Sequence, residues 1–240
     1  MAIYLTIDTS AGIEIGVVAK SAGVVKVLAF LTSADTRHHA ENLTPMVKEA
    51  LSAANISRAD AIIAGRGPAA FTGLRAGLVT ARTLAAVWDV PLYGLSSLEA
   101  LALAGVDAGA NIVVPVIDAR RKEVYALRAR AMGPDDLEIL SEAEVISPEL
   151  LTQNLDAAPA VVVKHLADES LYPGLGCDEQ IVTVSPDIWV RLLLSRQSRC
   201  DAGESVDLSS EPLYLRRPDV HAGAHAQPHA QGNPYEHKAQ

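Results

Sequence analysis

The feature that most constrains the fold is a change in the spacing of apolar residues near residue 40. Before it, the chain contains three short β-rich segments, Ile3–Asp8, Ile13–Lys20 and Val24–Phe30, separated by turns of small residues. This pattern is typical of an antiparallel meander. After it, apolar residues follow helical spacing, so we predict a helix over Asn42–Ala54 with Pro45 in its first turn.

The second half of the chain follows the same order of elements. Strand-like segments come first and helical segments follow, with alternation between the two types. The remaining predicted strands and helices are Ala61–Ala64, Phe71–Trp88, Pro91–Leu95, Ser96–Ala104, Ile112–Asp118, Glu123–Arg130, Pro148–Leu155, Ala160–Lys164 and Pro186–Arg199. Strand and helix alternation after a meander indicates a mixed sheet covered by helices, hence an α/β fold. No sequence repeat is visible, but the parallel order is compatible with a duplicated fold whose second copy is reduced.

The charge and the cysteine content argue against several classes of protein. The 240 residues carry 29 acidic and 20 basic side chains, a formal charge of −9. This balance argues against autonomous nucleic-acid binding, although it is compatible with a local basic patch or a nucleic-acid-binding partner. The two cysteines, Cys177 and Cys200, lack C-x-x-C spacing. We therefore expect neither a disulfide framework nor a cysteine zinc site.

No segment of the sequence predicts membrane insertion. The first residues show neither the basic region nor the cleavage site of a signal peptide. The longest apolar stretch, around Leu98–Ile117, is interrupted by charged residues and rich in Ala and Gly, so it is unsuited to span a bilayer. We therefore expect a cytoplasmic protein. Residues 218–240 carry Gly, Pro and several His, which predicts a disordered His-rich tail.

A glycine-rich loop, Gly65-Arg66-Gly67-Pro68, joins a predicted strand to the helix over Phe71–Trp88. It is not a P-loop, because no Lys stands at the required position, and Ala70 replaces the third Gly of a G-x-G-x-x-G motif. Two interpretations stay open. The loop is either a tight turn that starts a packed helix or a site where backbone N–H groups hold an anion. The residues of a vestigial anion or nucleotide loop would be Asp8, Thr9, Ser10, Gly65, Gly67 and Thr72.

Small residues recur every four positions on the helix Phe71–Trp88, at Gly73, Gly77 and Ala81. Because Gly inside a helix costs about 1 kcal/mol relative to Ala, we expect a sheet, a helix or a partner to approach this face closely. The helix Asn42–Ala54 also has a broad apolar face. The predicted partner-facing residues are Leu43, Met46, Val47, Ala50, Phe71, Gly73, Leu74, Gly77, Leu78 and Ala81. On this hypothesis, Gly77→Leu abolishes pairing and leaves the isolated fold mostly intact.

Signals for catalysis are weak. Asp8 ends the first strand, where nucleotide-binding folds often carry a carboxylate, but a turn or helix-cap acceptor is the commoner role of such a residue. There is no G-x-S-x-G, Cys177 is followed by an acid, and His38 and His39 belong to no H-E-x-x-H motif. We therefore predict no catalytic residues and no metal site. The alternative is a nucleotide hydrolase or a peptidase, supported only by Asp8 and the loop Gly65–Thr72.

Two further clusters, one of basic residues and one of histidines, give only weak indications of function. The run Arg120-Arg121-Lys122 is the one dense basic cluster of the chain, and we interpret it as a solvated turn or as a contact to RNA phosphates within an assembly. In the tail, His221, His225 and His229 are spaced by four. Gly and Pro between them oppose a helix, so we expect only adventitious metal binding there.

Taken together, these stretches resemble the TsaB family, also called YeaZ. The resemblance is carried by Ile7-Asp8-Thr9-Ser10, His39-Ala40-Glu41-Asn42-Leu43-Thr44-Pro45-Met46, Gly65-Arg66-Gly67-Pro68, Phe71-Thr72-Gly73-Leu74-Arg75-Ala76-Gly77-Leu78, Ser96-Ser97-Leu98 and Ile117-Asp118-Ala119-Arg120-Arg121. The match covers about the first 130 residues well and thins beyond Tyr125. Pro212–Arg216 resembles the closing strand of the family.

The resemblance implies an actin/Hsp70-like (ASKHA) α/β fold of two lobes, each with a mixed sheet flanked by helices, the second lobe being reduced. The lobes would span residues 1–106 and 107–217. It also implies a role in making threonylcarbamoyladenosine beside the anticodon of tRNA. In that family this subunit pairs, through helices that match Asn42–Ala54 and Phe71–Trp88, with the catalytic subunit TsaD.

The same resemblance implies further partners and no cofactor. A small ATPase, TsaE, joins the assembly, tRNA is reached through the complex, and the same helices can form a homodimer when the partner is missing. Phosphate loops of active relatives read Asp-x-Gly, whereas Ser10 and Arg120 occupy those Gly positions here. Ala69-Ala70 replaces the usual Gly-Ser, and the two-His metal motif of TsaD is absent. These departures predict a non-catalytic subunit.

Overall fold

The computed structural model describes residues 1–33, 39–168, 172–175 and 178–216, and for His39 and Ala40 the backbone only. The predictions about His38, Cys177 and the tail at residues 218–240 lie outside the described residues. Among the described helices, none is long and apolar enough to cross a membrane. Cys200 is a free, half-exposed cysteine.

Two five-stranded mixed sheets form the framework. Sheet 1 contains β1 (Ala2–Asp8), β2 (Ile13–Ser21), β3 (Val24–Ser33), β4 (Ala61–Gly65) and β5 (Leu92–Leu95), in the spatial order β3-β2-β1-β4-β5. Sheet 2 contains β6 (Ile112–Asp118), β7 (Val124–Ala131), β8 (Leu137–Ile146), β9 (Val161–His165) and β10 (Glu179–Val182), in the order β10-β9-β6-β7-β8. In chain order, the first three strands of each sheet form an antiparallel meander. The fourth and fifth strands run parallel to the first strand.

The two sheets have the same topology, strand for strand. β6 occupies the central place of β1, and β9 and β10 take the places of β4 and β5. The prediction of an actin/Hsp70-like α/β fold with two mixed sheets is confirmed. In the first half an 18-residue helix, α2 (Phe71–Trp88), connects β4 to β5, whereas the described residues between β9 and β10 contain only the 3₁₀ turn Leu166–Asp168. The second lobe is therefore the smaller copy.

The helices form layers around these sheets. α1 (His39–Ala53) and α2 cover the outer face of sheet 1, and α4 (Pro148–Ala157) covers the outer face of sheet 2. The other two helices, α3 (Ser97–Asp107) and α5 (Pro186–Asp201), fill the space between the sheets. They are exchanged, because α3, which follows sheet 1 in the chain, packs on sheet 2, while α5 packs on sheet 1.

The helix starts follow from local chemistry in most cases. Ser96 accepts the N–H of Glu99 at the start of α3, and Ser147 accepts the N–H of Leu150 at the start of α4, as N-cap residues do. The prediction for Pro45 was wrong: α1 already begins at His39, so Pro45 lies inside the helix. It removes one backbone N–H donor there, but helical packing against sheet 1 outweighs that loss.

Three further elements differ from the sequence prediction. β8 and β10 were not predicted, since β8 is largely exposed and β10 has only four residues. The closing strand predicted at Pro212–Arg216 is absent, and these residues form an extended segment outside both sheets. Leu213 N–H donates to the carbonyl of Arg66 at 2.8 Å, so the segment is fastened without joining a β-ladder.

Candidate functional site

The carboxyl ends of β1 and β4 meet at the cleft between the lobes and bring Asp8 next to Gly65. Asp8 is 8% exposed, and its Oδ1 accepts hydrogen bonds from Ser97 Oγ and Ser10 Oγ, each at 2.9 Å. The two hydroxyls also lie 2.7 Å apart. A Cβ on Gly65 would lie 1.9 Å from Asp8 Oδ1, so the carboxylate occupies the space that only Gly leaves open.

Burial raises the pKa of Asp8, and the hydrogen bonds from Ser97 and Ser10 offset part of that rise. The carboxyl group therefore serves as a fixed acceptor that ties the end of β1 to the start of α3. The structure places Asp8, Ser10 and Gly65, three of the residues predicted for an anion or nucleotide loop, next to one another. It missed Ser97, whose hydroxyl completes the cluster from 89 residues away.

The start of α2 lies on the other side of this loop. Thr9 Oγ1 donates to the carbonyl of Gly73 at 2.9 Å, and the carbonyl of Gly67 accepts the N–H of Ser97 at 2.8 Å. Ala70 provides no side-chain cap, so the first N–H groups of α2 face a cavity of about 230 Å³. This cavity is lined by Thr9, Ser10, Gly12, Ala70, Phe71, Thr72, Gly73 and Arg120. Anion binding at this loop stays a prediction: Thr9, Ser10 and Thr72 line the cavity, whereas Asp8, Gly65 and Gly67 lie outside its lining.

The basic turn between β6 and β7 faces the same cavity through Arg120. Arg120, Arg121 and Lys122 adopt φ angles of 61°, 55° and 62°, a run of left-handed backbone that side chains rarely adopt. The turn is held because Arg120 N–H donates to Asp118 Oδ1 at 2.8 Å and its guanidinium pairs with Asp118 Oδ2 at 3.1 Å. Asp118 thus neutralises Arg120 at the position where an Asp-x-Gly loop would have Gly.

A buried pair that the sequence did not indicate crosses from one lobe to the other. His165 Nε2, at the end of β9, lies 2.8 Å from Glu14 Oε1 on β2, and the two residues are 7% and 6% exposed. Burial raises the pKa of Glu14, which the hydrogen bond from His165 partly offsets. Burial disfavours the charged ring of His165 most strongly, but the hydrogen bond and charge of Glu14, with help from Asp8 and Asp168, raise its pKa overall.

The other ring nitrogen of His165, Nδ1, has a contact that opposes protonation of the ring. Nδ1 accepts the backbone N–H of Ala167 at 3.1 Å, a contact that favours the ring form with its proton on Nε2, towards Glu14. Nearby, burial raises the pKa of Asp168 to about 6, and the carboxylate of Asp118 adds to that rise. Among the described residues, buried Asp168 Oδ2 has no hydrogen-bond partner.

These contacts bear on the hydrolase and peptidase alternative. A serine nucleophile needs a base within hydrogen-bond reach. His165 is the one histidine whose side chain is described, and both of its ring nitrogens are engaged elsewhere. The hydroxyls of Ser10 and Ser97 are bound to Asp8. Within the described residues, no three His, Cys, Asp or Glu side chains converge as a metal site would require.

The predicted partner-facing residues divide into two groups. Eight are buried in the chain's own core, against sheet 1: Leu43, Val47, Ala50, Gly73, Leu74, Gly77, Leu78 and Ala81. Met46 and Phe71 are half-buried. The apolar periodicity thus identified the face on which these helices pack within the lobe. The exposed side chains of α1 and α2 lie on the opposite face.

That opposite face carries two exposed valines, Val79 and Val87, which are 61% and 73% exposed on α2. Beside it, the outer side of α1 forms an open concavity lined by Pro45, Lys48, Glu49, Ser52 and Ala53. We call Val79, Val87 and this concavity the outer face. Exposed branched apolar residues on one helix are the kind of patch that marks protein interaction sites.

One flank of α2 is covered by the C-terminal segment at residues 207–216, which we call the strap. Arg66 pairs with Asp207, and Arg82 donates to the carbonyl of Ser210 at 2.7 Å. At the end of the strap, the ring of Tyr214 packs on Phe71 with centroids 5.0 Å apart. Arg75 and Arg82, which the strap contacts, lie one turn to either side of Val79, and Val79 and Val87 stay exposed beside it.

The fold and the cleft define a two-lobed α/β protein of the actin/Hsp70 class whose second lobe is reduced. The family model of TsaD, tRNA N6-adenosine threonylcarbamoyltransferase, matches residues 26–173, which is more than half of the chain. The chain belongs to the TsaB/YeaZ family.

Relatives in sequence and structure agree with this membership. The tRNA threonylcarbamoyladenosine biosynthesis protein TsaB of Haemophilus influenzae is 41% identical over 196 residues, covering 75% of this chain and 80% of the relative. An uncharacterised protein of Mycobacterium tuberculosis is 34% identical over 230 residues, covering 89% and 94%. The solved structure of YeaZ from Pseudomonas aeruginosa superposes with a TM-score of 0.70 at 27% identity, covering 90% of this chain and all of that one.

Proposed function

We propose that this protein is a non-catalytic subunit in the biosynthesis of tRNA threonylcarbamoyladenosine and that it pairs with a TsaD-like catalytic subunit through α1 and α2. Relatives of this chain at 41% and 29% identity are named for that biosynthesis, which supports the pathway. The observation that carries the pairing is the outer face, where Val79 and Val87 are exposed on a helix whose opposite face is packed on sheet 1.

The cleft supports the non-catalytic part of the proposal. Asp8 is held by two hydroxyls, Arg120 is neutralised by Asp118, and His165 has no free ring nitrogen. A general base must have a lone pair within reach of the proton that it removes. His165 does not meet this condition, because both of its ring nitrogens are hydrogen-bonded, and Asp8 Oδ1 already accepts two hydroxyls.

The proposed partners follow from the same family membership. A helix pair that presents an outer face of this kind is suited to a homologous helix pair, so a TsaD-like subunit of the same fold class fits it. A TsaE-like ATPase would join this assembly, and tRNA would be reached through the complex, since the net charge of −9 opposes binding by this chain alone. Without the partner, the outer face would form a homodimer.

The decisive experiment is a tRNA modification assay with TsaD, TsaE and a supply of threonylcarbamoyl-adenylate, with and without this protein. We expect modification only when the protein is present, and no turnover by the protein alone. Full modification in its absence would overturn the proposal. ATP hydrolysis or peptide cleavage by the purified chain, lost in Asp8→Asn, would instead establish the enzyme alternative.

A further inference from the structure

The end of the strap joins the two lobes. Leu213 N–H donates to the carbonyl of Arg66, and the ring of Tyr214 packs on Phe71 of α2, so both strap residues are held by the first lobe. Two residues further on, the guanidinium of Arg216 reaches the second lobe, at the turn between β6 and β7. The chain therefore crosses from one lobe to the other between Tyr214 and Arg216.

Arg216 contacts both ends of that turn. Its guanidinium pairs with the carboxylate of Glu123 and donates to the carbonyl of Ala119 at 3.0 Å. Ala119 and Glu123 are themselves the residues that close the turn, because Ala119 N–H donates to the carbonyl of Glu123 at 3.0 Å. A side chain of the strap thus holds the turn at its base.

The turn is a strained element that needs such support. Arg120, Arg121 and Lys122 lie between the two closing residues and have three consecutive positive φ angles. Side chains adopt this region at a cost, and a run of them persists only where the surroundings hold it. Asp118 holds Arg120 from within the hairpin, and Arg216 adds a contact from outside it. Loss of that contact should therefore favour relaxed conformations of the turn.

The contact between strap and turn is of a kind that can open. The side chains of Arg216 and Glu123 are 23% and 36% exposed, so water can replace their pairing, and exposed ion pairs contribute little to stability. The attachment to the first lobe is firmer, because it includes backbone hydrogen bonds such as that from Gly94 N–H to the carbonyl of Leu208 at 2.9 Å. The strap can therefore stay on the first lobe while it releases the turn.

The turn also borders two cavities. Arg120, Ala70 and Phe71 line both the cavity of about 230 Å³ at the start of α2, which we call the loop cavity, and a neighbouring cavity of about 120 Å³. Strap residues 213–216 form a wall of the smaller one. A movement of the turn would carry Arg120 out of both walls and open the loop cavity towards the strap.

We propose that Arg216 is a latch for the β6–β7 turn: it holds the turn, and with it Arg120, against the start of α2, and its release opens the loop cavity. Arg216 is a positioning residue in this device, since it acts through the turn. The inference goes beyond the proposed function, because it needs neither the outer face nor a partner.

Hydrogen exchange of backbone amides, resolved by ¹⁵N NMR on the full-length protein, tests the latch. In Arg216→Met, the amides of Ala119 and Glu123 should exchange at least tenfold faster, because the hydrogen bonds that close the turn open more often. Amides of β1 and α2 should keep their exchange rates, whereas a general loss of stability would accelerate them too. Opening of the loop cavity should also broaden the amide resonance of Thr72, which lines it.

Arg130→Met is the matched control. It removes an arginine of the adjoining strand β7, whose pair with Glu138 is also solvent-exposed, but it leaves the strap and the turn untouched. The exchange rates of the turn amides and the line width of Thr72 should stay at their wild-type values.

Glu123→Gln tests the same contact from the other side. It should accelerate the same two amides, and the double variant with Arg216→Met should be no faster than Arg216→Met alone, because both changes remove one interaction. The proposal is overturned if Arg216→Met leaves the turn amides within twofold of wild type or leaves Thr72 unchanged. It is equally overturned if Arg130→Met has the same effect, if the acceleration extends evenly over β1 and α2, or if the two single effects multiply in the double variant.

Discussion

Gly77 on α2 packs directly against Thr9 at the end of β1. A Cβ built on Gly77 would lie 2.5 Å from Thr9 Oγ1, and that hydroxyl is itself bonded to the carbonyl of Gly73 one turn earlier. The small-residue stripe of α2 therefore serves the close approach of the helix to its own sheet. The expectation that Gly77→Leu leaves the isolated fold intact was wrong, because a larger side chain collides with Thr9.

Gly77→Ala should destabilise the protein by about 1–3 kcal/mol, the usual cost of overpacking a close contact. Better helix propensity returns at most about 1 kcal/mol, so the net effect is a loss. The measurement is the midpoint of urea unfolding. The double variant Thr9→Ala/Gly77→Ala should recover part of the loss, because it removes the hydroxyl and methyl that the new Cβ meets. Strict additivity of the two changes would contradict the contact.

Val87→Glu should weaken binding to a TsaD-like subunit at least tenfold, which corresponds to about 1.4 kcal/mol, because it buries a charge in the outer face. The unfolding midpoint should stay unchanged, since Val87 is 73% exposed in the isolated chain. Titration calorimetry with the purified partner measures the effect.

The matched control for Val87→Glu is Leu150→Glu, which places the same charge at a 49% exposed position on α4. It should leave the affinity for the partner unchanged. Equal weakening by the two variants would show that added negative charge, rather than the outer face, governs the interaction.

Asp168→Asn should stabilise the protein at pH 7 by on the order of 1–3 kcal/mol. The reason is that the pKa of Asp168 rises from 3.8 to about 6 on folding. Between these values the folded state binds more protons than the unfolded state, so the wild type loses stability as the pH rises through this window. The variant lacks the charge, and its advantage should disappear near pH 4.

Thermal unfolding at several pH values between 4 and 7.5 tests this profile. The comparison variant is Asp156→Asn, an exposed carboxylate on α4, for which the difference from wild type should be small and flat. An advantage of Asp168→Asn that is constant across the whole pH range would refute the explanation by titration.

The strap offers a truncation experiment with a built-in control. Deleting residues 207–240 removes the Arg66–Asp207 pair, the Arg82 contacts and the Tyr214–Phe71 packing. It should lower the unfolding free energy by about 2–4 kcal/mol, from lost apolar burial and lost hydrogen bonds. Deleting residues 218–240 alone should leave stability and partner binding unchanged. If the two truncations behave alike, the strap contributes nothing to the fold.

Most of the secondary structure could be predicted from periodicity. The helix Phe71–Trp88 and the strand Ile112–Asp118 have the predicted bounds, and most other elements differ by one to three residues. The duplicated order of elements also pointed to two similar sheets. β8 was missed although Glu142-Ala143-Glu144-Val145 alternates polar and apolar residues, because half of its residues are exposed and the alternation is short.

The candidate site was harder to predict because its contacts join distant parts of the chain. Glu14 and His165 are 151 residues apart, and Asp8 and Ser97 are 89 apart, so no local spacing connects them. The proposed partner surface was difficult to locate from the sequence for a different reason. Apolar spacing shows which side of α1 and α2 is buried, but it does not say whether the buried side faces this chain or another one. Exposure of Val79 and Val87 supplies that information.

The exchange of α3 and α5 between the sheets has a consequence for synthesis on the ribosome. Sheet 1 is complete in sequence at Leu95, but the helix that covers its inner face, α5, ends only at Asp201. At about 5–20 residues per second, roughly 5–20 s separate the two events. During that interval Val18 and Ile63, which the finished protein buries completely, have no helix to cover them. The inner face of sheet 1 therefore acquires its cover only near the end of synthesis.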